Sequence, residues 1–365
     1  MPRQFPRPVK RLVVKFGSSV IATNQLKPRS SRLISLINEI CAFQKKGIEV
    51  VLVSSGAIVL GMGEAGLKAR PKDLASLQAL AAIGQAKLMK QYCELFKKHK
   101  SMCGQVLLTW DDFAERERYN NARGTLAAIM ANGAVPIVNE NDTISTEEIK
   151  FGDNDKLSAM VASLVGADLL ILLSDVEGLY DLKGGNKKLF AEVREITQEI
   201  EGAVSGEMDG AKRHISRGGM SGKLDAIKIA TKAKIPCVIA NGETADILTR
   251  ILQKESVGTF FFEAKEKAVA RKHWILFGAK PKGGIVVDAG AVSALVDKGK
   301  SLLSPGVVAC EGVFKADDVV VIRDPSGEEI GRGIVNYSAV EMLKKEDKKD
   351  KPEVIHRDDL VLTGK

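Results

Sequence analysis

The spacing of apolar and polar positions changes repeatedly along this chain, and the changes mark its elements. The run Leu12-Val13-Val14-Lys15-Phe16 reads as a buried strand that delivers a lysine and turns through Gly17-Ser18-Ser19. Leu33, Ile34, Leu36, Ile37, Ile40 and Cys41 then recur at helical spacing, and Gly47 closes the segment. Residues 49–53 predict a second buried strand, ending in the small-residue turn Ser54-Ser55-Gly56-Ala57. A helical stretch over 74–98 leads into a strand over 105–108, and a helix around 125–130 leads into one over 135–138. Strands over 169–173 and 236–240, with a helix through Leu224, Ile227, Ile229 and Ala230 between them, carry the alternation to about Phe262. Strands alternating with helices predict an α/β sandwich with a mainly parallel central sheet. From Gly283 the texture becomes short β-like runs at 285–287, 306–308, 319–322 and 333–335, which predict a small β-rich barrel after the link Lys280-Pro281-Lys282-Gly283. Two domains are therefore expected, at 1–275 and 283–361.

A parallel sheet presents its functional groups at the C-terminal ends of its strands. Polar turns fall at those ends. Lys15 precedes Gly17, the reverse of the G-x-x-x-x-G-K-[ST] order of a P-loop, which this chain lacks. Asn139-Glu140-Asn141-Asp142 follows one apolar strand and Ser174-Asp175 another, with Gly178-Leu179-Tyr180 beyond. Asp153-Asn154-Asp155 opens a helix through Leu157, Val161 and Leu164, where one capping residue would suffice. Residues 192–222 read as polar and irregular, and end in Arg217-Gly218-Gly219-Met220-Ser221-Gly222-Lys223 at a helix start, the features of a loop that grips phosphate. Each turn by itself also has an ordinary structural explanation: a solvated lysine, a serine cap, an Asx turn or a glycine linker.

Composition narrows the class. With 365 residues, 45% hydrophobic and 27% charged, the chain is expected to be soluble and globular. Its longest apolar run, 161–173, is broken by Gly166 and Asp168 and is shorter than the ~20 residues of a membrane span. Arg3, Arg7, Lys10 and Arg11 resemble the start of a signal peptide, but Lys15 interrupts the apolar part and no cleavage pattern follows, so a cytoplasmic protein is expected. The five cysteines lack the C-x-x-C spacing of a zinc or redox site. No role is assigned to His99, His214, His273 or His356. The net charge of +8 suits a polyanion, either nucleic acid or a triphosphate substrate.

Taken in order, Lys15 before glycine, Ser55-Gly56-Ala57, Asn139-Glu140-Asn141-Asp142, Gly152-Asp153-Asn154-Asp155 and Gly218-Gly219-Met220 ahead of Lys223 resemble the amino acid kinase family. The likeness is to those members that phosphorylate the γ-carboxylate of glutamate and carry a C-terminal PUA domain, and it extends to His356-Arg357-Asp358-Asp359. The resemblance implies ATP-dependent conversion of L-glutamate to L-glutamyl 5-phosphate, the first step of proline biosynthesis, with Mg²⁺ accompanying ATP. It implies that Lys15 and Lys223 contact the transferring phosphoryl group while Asp155 holds them in place. Ser55, Asp142 and Asn154 would bind glutamate. Lys15, Gly17, Ser174, Asp175 and the loop Arg217, Gly218, Gly219, Met220, Ser221, Gly222, Lys223 would surround ATP. Metal ligands are left unassigned. Homo-oligomers and feedback inhibition by proline are implied in the same way. Three departures stand out: Ser174 for a usual threonine, Gly222 where a threonine often precedes the second lysine, and Arg217 for a small or hydroxyl residue, beside a longer segment over 207–216.

Two other readings compete. Relatives of the same fold use N-acetylglutamate, aspartate, carbamate or nucleoside monophosphates, but an anionic Asp142 favours a free α-amino group. Alternatively, the PUA-like domain and the basic charge fit an RNA-binding protein, although only 5% of the residues are aromatic.

Overall fold

In a computed structural model, which describes residues 3–22, 30–144, 154–181, 188–197, 200, 219–264, 275, 279, 281–343 and 353–363, the chain divides into two units. One is formed by 1–109 with 119–267, the other by 110–118 with 268–365. The elements in chain order are β1 (Arg11–Phe16), α1 (Ser18–Ile21), α2 (Ser30–Lys45), β2 (Glu49–Ser54), α3 (Ala57–Glu64), α4 (Leu74–Lys98), β3 (Met102–Leu108), α5 (Trp110–Ala114), α6 (Arg116–Ala131), β4 (Ala134–Glu140), α7 (Asn154–Val165) and β5 (Leu169–Ser174). They continue with β6 (Tyr180–Asp181), β7 (Lys188–Leu189), β8 (Glu192–Val193), α8 (Met220–Lys232), β9 (Cys237–Asn241), α9 (Ile247–Leu252) and β10 (Thr259–Phe261).

Eight strands form one sheet in the order β3-β4-β2-β1-β5-β9-β10-β8, with all pairs parallel except β9 with β10. The parallel register places the sheet's functional ends side by side. Phe16 is opposite both Ser54 and Leu173, Leu108 is opposite Glu140, and Ser174 is opposite Asn241. Alternation along β1 sends Leu12, Val14 and Phe16 into a core shared with Leu36, Ile37 and Ile40 of α2 and Leu88, Tyr92 and Phe96 of α4. Lys15 therefore belongs to the other face.

Two elements near the site have causes that hydrophobic spacing does not report. Gly56, at φ +93°, opens α3 in a left-handed conformation, and a Cβ there would also press on Ile21. Helices α3 and α4 then pack backbone to backbone: a Cβ on Gly61 would fall on the Leu80 carbonyl, and one on Gly84 on the Ala57 carbonyl. Helix α4 starts where expected, because Asp73 accepts from the Ser76 amide at 2.8 Å as its cap. The strand expected at 105–108 begins earlier, at Met102, and the helix expected around 125–130 spans α6. The segment read as irregular from 192 holds the short strand β8, paired with β10. The link residue Lys280 and the segment 207–216 lie outside the described residues.

The second unit contains β11 (Gly283–Val287), α10 (Ala289–Val296), β12 (Leu302–Leu303), β13 (Val307–Gly312), β14 (Val319–Arg323), β15 (Glu329–Ile334), α11 (Ala339–Leu343), β16 (Glu353–Ile355) and β17 (Leu360–Leu362). Its core gathers Ile285, Val287, Leu295, Val320, Ile322 and Val335. The barrel expected from the sequence is, among the described residues, an open five-stranded sheet in the order β13-β11-β14-β15-β17, with β12 and β16 as a separate pair. Among the described residues, both edge strands keep a free side.

Gly84→Ala is expected to lower stability by roughly 1–3 kcal/mol, since the added methyl meets a carbonyl of a neighbouring helix and not a movable side chain. Thermal unfolding measures this, and an unchanged midpoint would show that the two helices can part without loss.

Candidate active site

The site is built around Asp155. It sits in the first turn of α7 and is 1% exposed. Its Oδ1 meets Lys15 Nζ at 2.6 Å and its Oδ2 meets Lys223 Nζ at 2.7 Å, with the lysines themselves only 6% and 8% exposed. Lys15 arrives from the end of β1 and Lys223 from the first turn of α8, so the carboxylate joins a strand and two helices. Packing of α7 on α8 fixes that meeting, supported at its rim by Lys156 paired with Asp225 at 3.0 Å. Burial pushes the Asp155 carboxyl toward protonation, but the two ammonium groups, as charges and as donors, outweigh it and hold it below its ordinary value. Among the described residues, two buried cations on one carboxylate leave one positive charge unmatched. A buried excess charge is stabilised by an anion, and a phosphoryl group is the anion with oxygens for both lysines.

The neighbouring turns are suited to that ligand. Gly17 opens α1 with no side-chain cap, and a Cβ on it would press on the Leu173 carbonyl at 3.1 Å. Gly219 opens α8, likewise uncapped by a side chain, with Met220, Ser221 and Gly222 in the first turn before Lys223. Ser174 is buried at the end of β5 and donates to the exposed Asp175 at 2.9 Å. Arg217, Gly218 and Asp153 lie outside the described residues.

On the other side of Lys15 lie the residues expected to hold an amino acid. Ser55 follows the end of β2, its amide donating to the Phe16 carbonyl at 3.2 Å. Asn154, expected as a substrate ligand and as one candidate for the helix cap, does not use its side chain as a cap: its amide donates to the Ser54 carbonyl at 2.6 Å and to Asn139 Oδ1 at 2.7 Å. Asp142 is half-buried in the turn after β4. Burial first, and then the charge of Glu140, push its carboxyl up to about 7, against the pull of Arg70. Sequence reading missed Gln85, whose Oε1 accepts from Asn139 Nδ2 at 2.8 Å. A glutamine inside a helical run carries no local signal of a partner 54 positions away.

Residues 10–241 match the model of the amino acid kinase family and residues 283–356 that of the PUA domain. The chain belongs to the amino acid kinase family. It is 44% identical to a glutamate 5-kinase of Carboxydothermus hydrogenoformans, over 99% of each chain, and 44% identical to one of Dictyoglomus turgidum, over 98% of each. A glutamate 5-kinase of Shewanella pealeana is 40% identical, over 97% of this chain and 98% of its own.

Asp155→Asn keeps the side chain's shape but leaves two buried ammonium groups facing a neutral amide, and is expected to cost about 3–5 kcal/mol in urea unfolding. Because the Asp155 carboxyl is shifted downward, its contribution is complete above 3.8, the ordinary value, and is lost as pH falls below it. The gap between native and variant protein should therefore close in acid. A gap that persists at low pH would assign the loss to something other than charge.

Proposed function

We propose that this chain transfers the γ-phosphoryl group of ATP to the γ-carboxylate of L-glutamate, forming L-glutamyl 5-phosphate, the opening reaction of proline biosynthesis. The observation that carries the reading is the Lys15–Asp155–Lys223 bridge, flanked on one side by uncapped glycine turns and on the other by Asp142 and Asn154. In this reading the kinase domain spans 1–275 and the PUA-like domain 283–361.

The chemistry needs positioned cations more than proton transfer. A γ-carboxylate is already ionised at pH 7, so it requires no general base before attacking phosphorus. What opposes the reaction is the approach of one anion to another, and fixed positive groups aimed at the shifting charge remove that barrier. Lys15 and Lys223 hold the phosphoryl oxygens, and Asp155 keeps their ammonium groups apart and directed. The turns at Gly17 and at 217–223, with Ser174 and Asp175, contact the triphosphate. Ser55, Asp142 and Asn154 bind glutamate, Asp142 through the α-ammonium.

A kinase that uses ATP needs a divalent cation, here Mg²⁺, which offsets part of the triphosphate charge. The donor set fits such a cation: both Asp155 oxygens face lysines, leaving exposed Asp175 as a carboxylate at this edge, and Mg²⁺ takes few carboxylates alongside phosphate and water. A cytoplasmic location, as expected from the sequence, belongs to the same proposal. Self-association and feedback inhibition by proline complete the proposal as the resemblance implies them.

A second reading, RNA binding by the PUA-like unit, has one observation in its favour. A cavity of about 820 Å³ there is lined by Lys298, Lys300, His356 and Arg357 beside Leu295 and Leu302. Filter binding against structured RNA across salt concentrations tests it, and tight binding with a steep salt dependence would support it.

The main test traps the acyl phosphate as a hydroxamate with hydroxylamine, ATP and Mg²⁺, offering glutamate, aspartate or N-acetylglutamate in parallel. Signal with glutamate alone is expected, and signal only with another acceptor would overturn the substrate. Lys15→Ala and Lys223→Ala should each lose a few kcal/mol of transition-state stabilisation, mainly in turnover. Unchanged turnover in Lys223→Ala would end the two-lysine model. A substrate ammonium pairs with ionised Asp142, so the KM for glutamate should fall as pH rises through about 7 and then level off. Asp142→Asn should raise that KM and flatten its pH dependence.

A further inference from the structure

Three side-chain amides beside the bridge form a relay whose polarity follows from its fixed end. The Ser54 carbonyl can only accept, so the atom of Asn154 facing it at 2.6 Å is the amide nitrogen. That nitrogen can only donate, so the Asn139 atom at 2.7 Å from it is oxygen. The opposite atom of Asn139 is then nitrogen, and Gln85 must offer its oxygen at 2.8 Å. A primary amide nitrogen has two hydrogens, and Asn154 uses both on protein acceptors. Its remaining polar atom, Oδ1, can only accept.

Helix α4 holds the relay at both ends. Gln85 bonds Asn139, and two turns on along the same helix Tyr92, fully buried, bonds the Ser54 hydroxyl at 2.8 Å. The relay itself is dry, with Ser54 at 0%, Asn139 at 2% and Asn154 at 8% exposure. Gln85 also carries a burden: its Nε2 is buried and has no partner among the described residues. An orphaned donor is unfavourable, and a methionine of similar length would avoid it. Among the described residues, the oxygen is the only polar atom of this side chain with a partner.

We propose that Gln85 is a positioning residue for substrate recognition: it locks Asn139, and through it Asn154, so that Asn154 presents a carbonyl oxygen to the α-ammonium of the amino-acid substrate. Without an acceptor at position 85, Asn139 keeps its oxygen on Asn154 but loses the contact that fixes the plane of its amide. Asn154, still donating to the Ser54 carbonyl, then aims its remaining oxygen less sharply at the ammonium. Asp142 supplies the charge for that ammonium, and the relay supplies direction. The inference rests on glutamate being the substrate.

The test uses the full-length enzyme and compares L-glutamate with glutarate, the same diacid without the amine. Gln85→Met should raise the KM for glutamate about tenfold, the effect of losing one hydrogen bond to a charged group. KM for ATP and kcat should stay within about threefold, since neither involves the ammonium. The preference for glutamate over glutarate should shrink with it. Gln85→Glu, which keeps an acceptor oxygen, should restore both glutamate KM and preference, an outcome that a merely structural role would not produce. Thermal melts establish that the variants fold, and Gln85→Leu carries the same expectation if the methionine variant does not. An active wild type whose Gln85→Met variant keeps both KM and preference would overturn the relay alone, as would a Gln85→Glu variant as impaired as Gln85→Met. A wild type inactive on glutamate would overturn the substrate reading and the relay with it.

Discussion

One carboxylate between two lysines is the constraint on which the first unit depends. Asp155 can bridge Lys15 and Lys223 only if β1 ends where α7 begins and α8 starts beside both. Each ion would be strongly disfavoured alone in so dry a place. Together they are stable, with a positive excess that makes the pocket incomplete until an anion enters. In the proposed reaction, binding of the nucleotide and stability of the site therefore draw on the same charge.

The sheet makes that meeting reproducible. Parallel pairing brings the ends of β1, β2, β4, β5 and β9 to a single rim, so residues far apart in sequence share a crevice. The groups proposed for the amino acid cluster at β2 and β4, and those proposed for the nucleotide at β5 and α8, with Lys15 between them on β1. In that proposal the transfer runs across the middle strands of the sheet, where the backbone is held by neighbours on both sides.

Much of this was legible in the chain, because buried parallel strands read as continuous apolar runs and their polar turns interrupt them sharply. Lys15, Asp155 and Lys223 each stand at such an interruption. What spacing could not convey was pairing between distant side chains. The use of Asn154 as a tether and not a cap depends on a carbonyl 100 positions earlier, and Gln85 looks like any polar residue on a helix. Helix α3 also escaped, since its start depends on the left-handed Gly56 and its packing on glycines that carry no hydrophobic signal. In the second unit, runs of β-type residues announced strands but not closure, because closure is decided by which edges meet.

The contact of α3 with α4 has a consequence for the way the site ages under mutation. Where helices meet through side chains, a substitution can be absorbed by new rotamers, and the axis drifts by fractions of an ångström. Gly61 and Gly84 bring main chain against main chain, so this joint has no rotamers to absorb anything. It acts as a fixed gauge between the turn after β2 and the helix that carries Gln85 and Tyr92. The surrounding core can change composition over many substitutions while the spacing across the residues proposed for the amino acid stays the same.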